Sequence, residues 1–181
     1  MKNITLLTAL ITLSLLTSCG QLTDKDLINA AYNGKTEVLE NAIDEGANIN
    51  LKSKKGGVCL LSYAAGAGHG LTVYMLLNKG ANINEIDDAG WSALHFAASN
   101  GHNNVINMLT KFNVNLNMQN KDGWTALMYA AFYNHESAVK ALLESGARTN
   151  IALTNGLDVM AIAKNKGHNK IISLLNNISD S

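Results

Sequence analysis

The sequence predicts an all-α solenoid of about five helix-turn-helix units. Three observations lead to this fold class. Four glycines lie at a constant interval of 33 residues: Gly57, Gly90, Gly123 and Gly156. Four histidines repeat the same interval: His69, His102, His135 and His168. Apolar residues recur at helical spacing within each period, and a fixed period of this length is typical of stacked repeats that bury one face of each unit.

The composition narrows the range of partners. The chain has 181 residues, of which 47% are apolar and 15% charged, and its net charge is zero with histidine neutral. A neutral chain has no broad positive field for phosphate groups, so nucleic acid is not an expected partner. Proline is absent, and the turns must therefore rely on glycine, asparagine and aspartate.

The amino terminus has the pattern of a targeting segment. Lys2 precedes a mostly apolar run over 4–16. Because a membrane-spanning helix needs about 20 apolar residues, this run is too short to span. A positive start followed by a short apolar core is instead typical of a signal peptide.

The end of that run, Leu16-Thr17-Ser18-Cys19, resembles the lipobox of bacterial lipoproteins. The resemblance implies cleavage after Ser18 and acylation of Cys19, whose thiolate attacks the glyceride donor. The signal peptide would then comprise 1–18, and 19–22 would form the lipidated cysteine and a short tether. The alternative is an ordinary secretory signal in which Cys19 is incidental.

Acylation at Cys19 would anchor the chain stably, because several acyl chains bind a membrane far better than one. In bacterial lipoproteins, an aspartate after the cysteine is associated with retention in the inner membrane. Gly20 stands at that position, so we expect the outer membrane, with the domain facing the periplasm.

The repeat region is expected to cover 23–178. Its units are predicted at about 23–50, 51–84, 85–117, 118–150 and 151–178. Thr23 and Asp26 form a capping-box pattern at the first helix. Apolar residues of the second helices should face the core, beginning with Val38, Leu39, Ala42 and Ile43 in the first unit. Glycine or asparagine then suits a left-handed helix end at four positions: Gly46, Gly80, Asn113 and Gly146.

Two segments, Gly90-Trp91-Ser92-Ala93-Leu94-His95 and Gly123-Trp124-Thr125-Ala126-Leu127, resemble the G-x-T-P-L-H segment of the ankyrin repeat family. The resemblance extends over five units. It implies a helix pair and a hairpin-like loop in each unit, with the core formed between neighbours. Ser92, Thr125 and, less well, Cys59 and Asp158 occupy the capping position of the motif. The motif's proline is absent, and Leu60, Ala93, Ala126 and Val159 stand in its place.

No catalytic pattern, phosphate-binding loop or paired nucleophile and base is present, so we expect no enzyme activity and no cofactor. The repeated histidines do not predict a metal site. Stacked repeats lie about 10 Å apart, whereas zinc holds its ligands at about 2 Å. Cys59 is expected to be a buried small hydrophobe.

In the family that the chain resembles, partners bind the loop tips and the exposed side of the first helices. Trp91 and Trp124 follow equivalent loop glycines, and Phe132 and Tyr133 end the first helix beside Trp124. Trp and Tyr are enriched among residues that dominate binding energy, so we predict an aromatic platform with the Trp124 ring exposed. The alternative is that these rings cover the core near the loops. Charged candidates at the loop tips are Lys54, Lys55, Asp87, Asp88, Lys121 and Asp122.

These observations together predict a lipid-anchored, protein-binding module of the bacterial envelope. An immunity protein that neutralises a toxic effector is the finer expectation. The alternative is a structural or stress-related scaffold that holds or protects another enzyme. The expected partners are a protein and the membrane, without nucleic acid or metal.

Overall fold

The computed structural model describes residues 22–179. The predicted signal segment and Cys19 lie outside these residues. Within them, no helix is both long and apolar enough to cross a membrane.

Within residues 22–179 the chain folds into ten helices that follow one another in pairs, and the all-α solenoid is confirmed. The helices are α1 (Asp24–Tyr32), α2 (Thr36–Asp44), α3 (Leu60–Gly66), α4 (Gly70–Asn78), α5 (Ala93–Ser99), α6 (Asn103–Thr110), α7 (Ala126–Phe132), α8 (Glu136–Glu144), α9 (Val159–Lys166) and α10 (Asn169–Ser179). The first helix of each pair packs on the first helix of the next, and the second helices pack in the same way.

Side-chain caps begin α1, α7 and α9, as their sequences predict, whereas the predicted cap Cys59 makes no side-chain capping hydrogen bond at α3. The Thr23 hydroxyl accepts a hydrogen bond from the Asp26 backbone N–H, and the Asp26 carboxylate accepts one from the Thr23 N–H. Thr125 caps α7 by accepting from the Met128 N–H, and Asp158 accepts from the Ala161 N–H at 2.7 Å. Each cap satisfies backbone donors that have no partner within the helix.

The second helices end in left-handed residues at the predicted places. The φ angles are +101° at Gly46, +91° at Gly80, +56° at Asn113 and +91° at Gly146. This conformation turns the chain away from the helix axis and into the loop that leads to the next unit.

The core runs continuously along the stack. Alanine pairs on the first helices are fully buried, for example Ala97 and Ala98, and their small size lets helices approach closely. Leu94 and Leu127 are each 1% exposed, and the Cys59 thiol is buried as predicted. Val38 is an exception, because the predicted core position is 42% exposed on the first unit's outer surface.

The loops between units stack on one another. An isolated antiparallel bridge closes three of them: Lys52 with Cys59, Ile86 with Ser92, and Ala152 with Asp158. Neighbouring loops are joined by backbone hydrogen bonds, from the Asp88 N–H to Gly56 O and from the Lys121 N–H to Ala89 O. A Cβ at Gly90 would lie 2.9 Å from the Lys121 nitrogen, so this close approach requires glycine.

Candidate functional site

The repeated histidines join neighbouring units. Each immediately precedes the second helix of its unit, and its Nε2 lies against a backbone carbonyl of the preceding unit. The pairs are His69 with Tyr32 O at 2.9 Å, His102 with Gly66 O at 3.0 Å, His135 with Ser99 O at 2.9 Å and His168 with Phe132 O at 3.2 Å. Because a carbonyl can only accept, each ring donates through Nε2.

These four histidine rings therefore link neighbouring units by hydrogen bonds. In the part of the chain that the structure describes, no group of three or more His, Cys, Asp or Glu side chains could hold a metal ion. The histidines lie one per junction and do not converge on a common point.

An aromatic row crosses the first-helix side of the third and fourth units. We use this name for the six rings of Phe96, Trp91, Tyr129, Trp124, Phe132 and Tyr133. Successive ring centroids in that order lie 5.1, 4.3, 5.0, 5.4 and 5.0 Å apart. These separations are typical of favourable aromatic contacts, so the rings form one connected surface.

The four predicted aromatic candidates do come together, although not all as predicted. The Trp124 ring was expected to be exposed, and this is wrong: the residue is half-buried. Its ring packs on Tyr129 and against the edge of Phe132. Trp91 is also half-buried. Tyr133 projects most, with 52% of its surface exposed. The tryptophans therefore both cover the core and form the floor of the row.

Tyr129 and Phe96 are the two members of the row that sequence reasoning did not select. Both precede an alanine pair, a place typical of a packing residue, and the Tyr129 ring lies between those of Trp91 and Trp124. The signal was present, because Tyr63 and Phe96 carry rings at the equivalent position of the two preceding units. Stacked repeats place equivalent residues side by side, so an aromatic column could have been inferred.

A buried asparagine fixes the middle of the row. Asn120 is 5% exposed and donates through Nδ2 to the Tyr129 hydroxyl at 2.9 Å. Its Oδ1 accepts from the Trp124 N–H at 2.8 Å and the Asp122 N–H at 3.1 Å. Burial raises the pKa of Tyr129, and the Asn120 hydrogen bond opposes that shift. The hydroxyl is therefore a neutral, positioned group at physiological pH.

The charged loop candidates divide into two groups. Asp87 is half-buried, and its Oδ1 accepts from the Ala89 N–H at 2.9 Å and from the Trp91 N–H at 2.8 Å. It therefore closes its own loop, as Asn120 does in the next one. The remaining candidates lie exposed at the tips: Lys54, Lys55, Asp88, Lys121 and Asp122.

An open depression lies on each side of the row. The first, of about 240 Å³, is lined by residues that include Tyr32, Val58, Tyr63 and Phe96. Its lining is mostly apolar. It lies across the first three units, where the row begins at Phe96.

The second depression has a volume of about 230 Å³ and lies across the fourth and fifth units. It is lined by Trp124, Phe132, Leu157 and Ile162, with Asn165 and Lys166 completing it. The Lys166 Nζ lies 3.8 Å from the centre of the Phe132 ring, in the geometry of a cation–π contact. Depressions of this kind can receive apolar side chains of a protein partner.

His95 supports the row from beneath. It is 1% exposed, its Nδ1 accepts from the Ser92 N–H at 3.1 Å, and its Nε2 lies 3.1 Å from Trp124 O. An Nδ1 that accepts carries no proton, so the ring is neutral and donates through Nε2. Burial lowers the pKa of His95, since it disfavours the charged ring, while the hydrogen bond to Trp124 opposes this.

Comparison with known proteins agrees with the architecture. A family model described as "Ankyrin repeats" matches residues 27–120, 61–152 and 108–180. The chain is 36% identical over 73 residues to the 26S proteasome non-ATPase regulatory subunit 10 of Rattus norvegicus, which is 40% of this chain and 32% of the relative. The Homo sapiens protein of that name is 34% identical over the same length, with the same coverage. The chain thus spans about a third of the length of these curated relatives.

Because His95 is buried, we expect the stability of the fold to depend on pH. Unfolded histidine titrates near pH 6.5, and the folded pKa of His95 is lower. Below about pH 6.5 the unfolded chain binds a proton at this histidine and the folded chain does not. The free energy of unfolding therefore falls as the pH drops through this range. We expect His95→Gln to be less stable than wild type at pH 7.5 but to lose less unfolding free energy between pH 7.5 and 5.5.

Urea denaturation at both pH values measures this effect. The readout is the difference between the two proteins, because other titrating groups are common to both. Parallel pH profiles for the two proteins would contradict the assignment.

Proposed function

The chain belongs to the ankyrin repeat family, and from that premise we propose that it is a lipid-anchored protein-binding module of the bacterial envelope. Its binding surface is the first-helix side with the adjoining loop tips. Its partner is a folded protein, and binding requires no chemical step. The finer proposal is an immunity protein that neutralises a toxic effector at the membrane.

The aromatic row is the observation that carries the binding proposal. Six connected rings cross two units, and a mostly apolar depression lies on each side. Aromatic side chains bury large apolar areas and supply a large share of binding energy at interfaces. The Asn120 hydrogen bonds hold the row in place before a partner arrives, which reduces the entropy lost on association.

The exposed charges around the row support specificity. Lys54, Lys55 and Asp88 lie at neighbouring loop tips, and Lys121 and Asp122 at the next. Mixed charges at a rim favour a partner with complementary charge and disfavour others, while adding little net affinity. This arrangement suits one specific protein rather than a general apolar ligand.

The named relatives support action through another protein. They are regulatory subunits by name, and a regulatory subunit acts on its assembly by contact. An immunity protein works by the same physical means, because covering a toxic enzyme's surface is sufficient to inhibit it. We therefore place the effector at the aromatic row and the loop tips.

The proposed anchor rests on Leu16-Thr17-Ser18-Cys19, which resembles a lipobox. A tether over 20–22 would span at most about 11 Å, so the repeat domain would stay close to the membrane. The repeat domain would then bind an effector that attacks lipid or envelope components at the membrane where that effector acts. The proposed location is the outer membrane, facing the periplasm.

The anchor proposal predicts that Cys19→Ser prevents acylation, because a hydroxyl is a far weaker nucleophile than the thiolate that receives the glyceride. Metabolic labelling with an alkyne fatty acid measures this. Cys59→Ser is the matched control, since that thiol is buried, and it should label like wild type. Equal labelling of wild type and Cys19→Ser would contradict the lipoprotein assignment.

The binding proposal predicts a selective effect at Tyr133. Asn33 and Asn100 occupy the same repeat position, so Tyr133→Asn copies a residue that the fold already accepts. We expect partner affinity to fall by at least about 2 kcal/mol, the range of a dominant interface residue, with little change in melting temperature. Lys140→Ala, on the second-helix side, should leave affinity unchanged.

The partner is first captured by a photoreactive amino acid at position 133 in living cells, with position 140 as control, and its affinity is then measured by titration. The immunity proposal expects the captured protein to be toxic to cells that lack this chain. A captured enzyme that stays active in the complex would favour the scaffold alternative. Unchanged affinity of Tyr133→Asn would remove the aromatic row from the interface.

A further inference from the structure

Two positions on the second helices, exposed in every unit except at the half-buried Glu40, distinguish the second unit from the others. At the first position the five units carry Glu37, Leu71, Asn104, Ser137 and Lys170. At the second they carry Glu40, Tyr74, Asn107, Lys140 and Ser173. Only the second unit carries an apolar residue at either position. The fold itself therefore does not require an apolar side chain there.

These two side chains reach the surface on α4. Leu71 is 79% exposed and Tyr74 is 48% exposed. The Tyr74 ring meets the edge of the half-buried Phe112 ring, with centroids 6.2 Å apart and planes at 71°. We call Leu71, Tyr74 and Phe112 the back-face patch. It lies on the second-helix side, away from the aromatic row, and its apolar character is a marker of an interaction surface.

The two sides of the patch differ in charge. On one side, α2 and the residue after it carry Glu37, Glu40, Asp44 and Glu45, and Lys79 forms ion pairs with Glu40 and Asp44. On the other side, α6 exposes Asn103, Asn104 and Asn107, and the exposed Lys111 follows it. One flank is therefore acidic, and the other is neutral to basic.

We propose that the back-face patch binds a second copy of this chain in a two-fold dimer. A two-fold axis parallel to the helices places α4 on α4 of the partner and brings the acidic α2 of each copy against α6 of the other. Asp44, which also pairs with Lys79 of its own chain, and Lys111 hold equivalent positions in their units and would come to the same height. The interface is then self-complementary in charge as well as in apolar area.

The charge pattern disfavours the other arrangements. A two-fold axis perpendicular to the helices would place α2 on α2, with Glu37 and Glu40 of both copies facing each other. A membrane surface with anionic lipids would also be repelled by this flank. The antiparallel dimer and the membrane are therefore alternative outcomes of the test.

The size of the interface indicates a weak, concentration-dependent dimer. A stable interface buries about 800 Å² on each partner, which three side chains do not supply. The flanking stripes on α2 and α6 must contribute the remainder. Because they are mostly polar, the apolar centre at Leu71 and Tyr74 should decide the affinity.

Disulfide cross-linking of the full chain tests the proposal. Asn78 is exposed one turn beyond Tyr74 on the same stripe of α4. In the parallel dimer it faces its own copy, so Asn78→Cys should form a disulfide-linked dimer under mild oxidation of cell membranes. Glu144→Cys is the matched control, because it holds the same position two units away and should remain monomeric. Wild type gives the background from Cys19 and Cys59.

The decisive step adds Leu71→Asn to Asn78→Cys. Asn104 occupies that position in the next unit, so the fold should be retained, which circular dichroism checks. We expect dimerisation of the full chain to weaken at least tenfold and the cross-link to fall accordingly. No cross-link in Asn78→Cys, or a cross-link that persists with Leu71→Asn, would overturn the proposal. If phospholipid vesicles protect the thiol introduced by Asn78→Cys from a water-soluble thiol reagent, without cross-linking, the patch would be assigned to the membrane instead.

Discussion

The contact between a histidine ring and a backbone turn at each junction determines how the units stack. His135 donates to Ser99 O across the junction, and its ring occupies the space beside Gly101. A Cβ at Gly101 would lie 2.7 Å from the His135 Nδ1, so the ring and a side chain cannot share this space without a shift. Gly34 with His69 and Gly68 with His102 repeat the arrangement. At the fourth junction Asn134 replaces glycine, and the His168 bond is the longest of the four, at 3.2 Å.

This fixed stacking is what makes a distributed binding surface possible. Successive units are held side by side, so the two rings of the third unit and the four rings of the fourth form one row of touching rings. The hydrogen bond from His95 to Trp124 O crosses the same junction as the contact between Trp91 and Tyr129. Junction and surface are therefore coupled, and a change in stacking would separate the rings. On the opposite side, the same regularity makes Leu71 and Tyr74 stand out from their counterparts.

Most of the fold could be predicted because its signals are local and periodic. The caps at Thr23, Thr125 and Asp158 and the left-handed residue Asn113 depend only on nearby sequence. The site was harder to predict, because burial depends on the neighbouring unit. The Tyr129 ring packs on Trp91 of the preceding unit, and helical spacing within one unit does not reveal that contact. The hydrogen bonds of Asp87 within its own loop could not be predicted either, because they depend on the geometry of that loop.

The most direct test of this account compares alanine at two left-handed glycines. Gly101 has a φ of +73° and Gly146 a φ of +91°, so alanine should cost about 1–2 kcal/mol of backbone strain at either position. A Cβ at Gly146 meets nothing within 4 Å, whereas one at Gly101 meets the His135 ring. We expect Gly101→Ala to lose about 1–3 kcal/mol more unfolding free energy than Gly146→Ala, the usual cost of overpacking. Equal losses in urea denaturation would contradict the claim that this contact sets the stack.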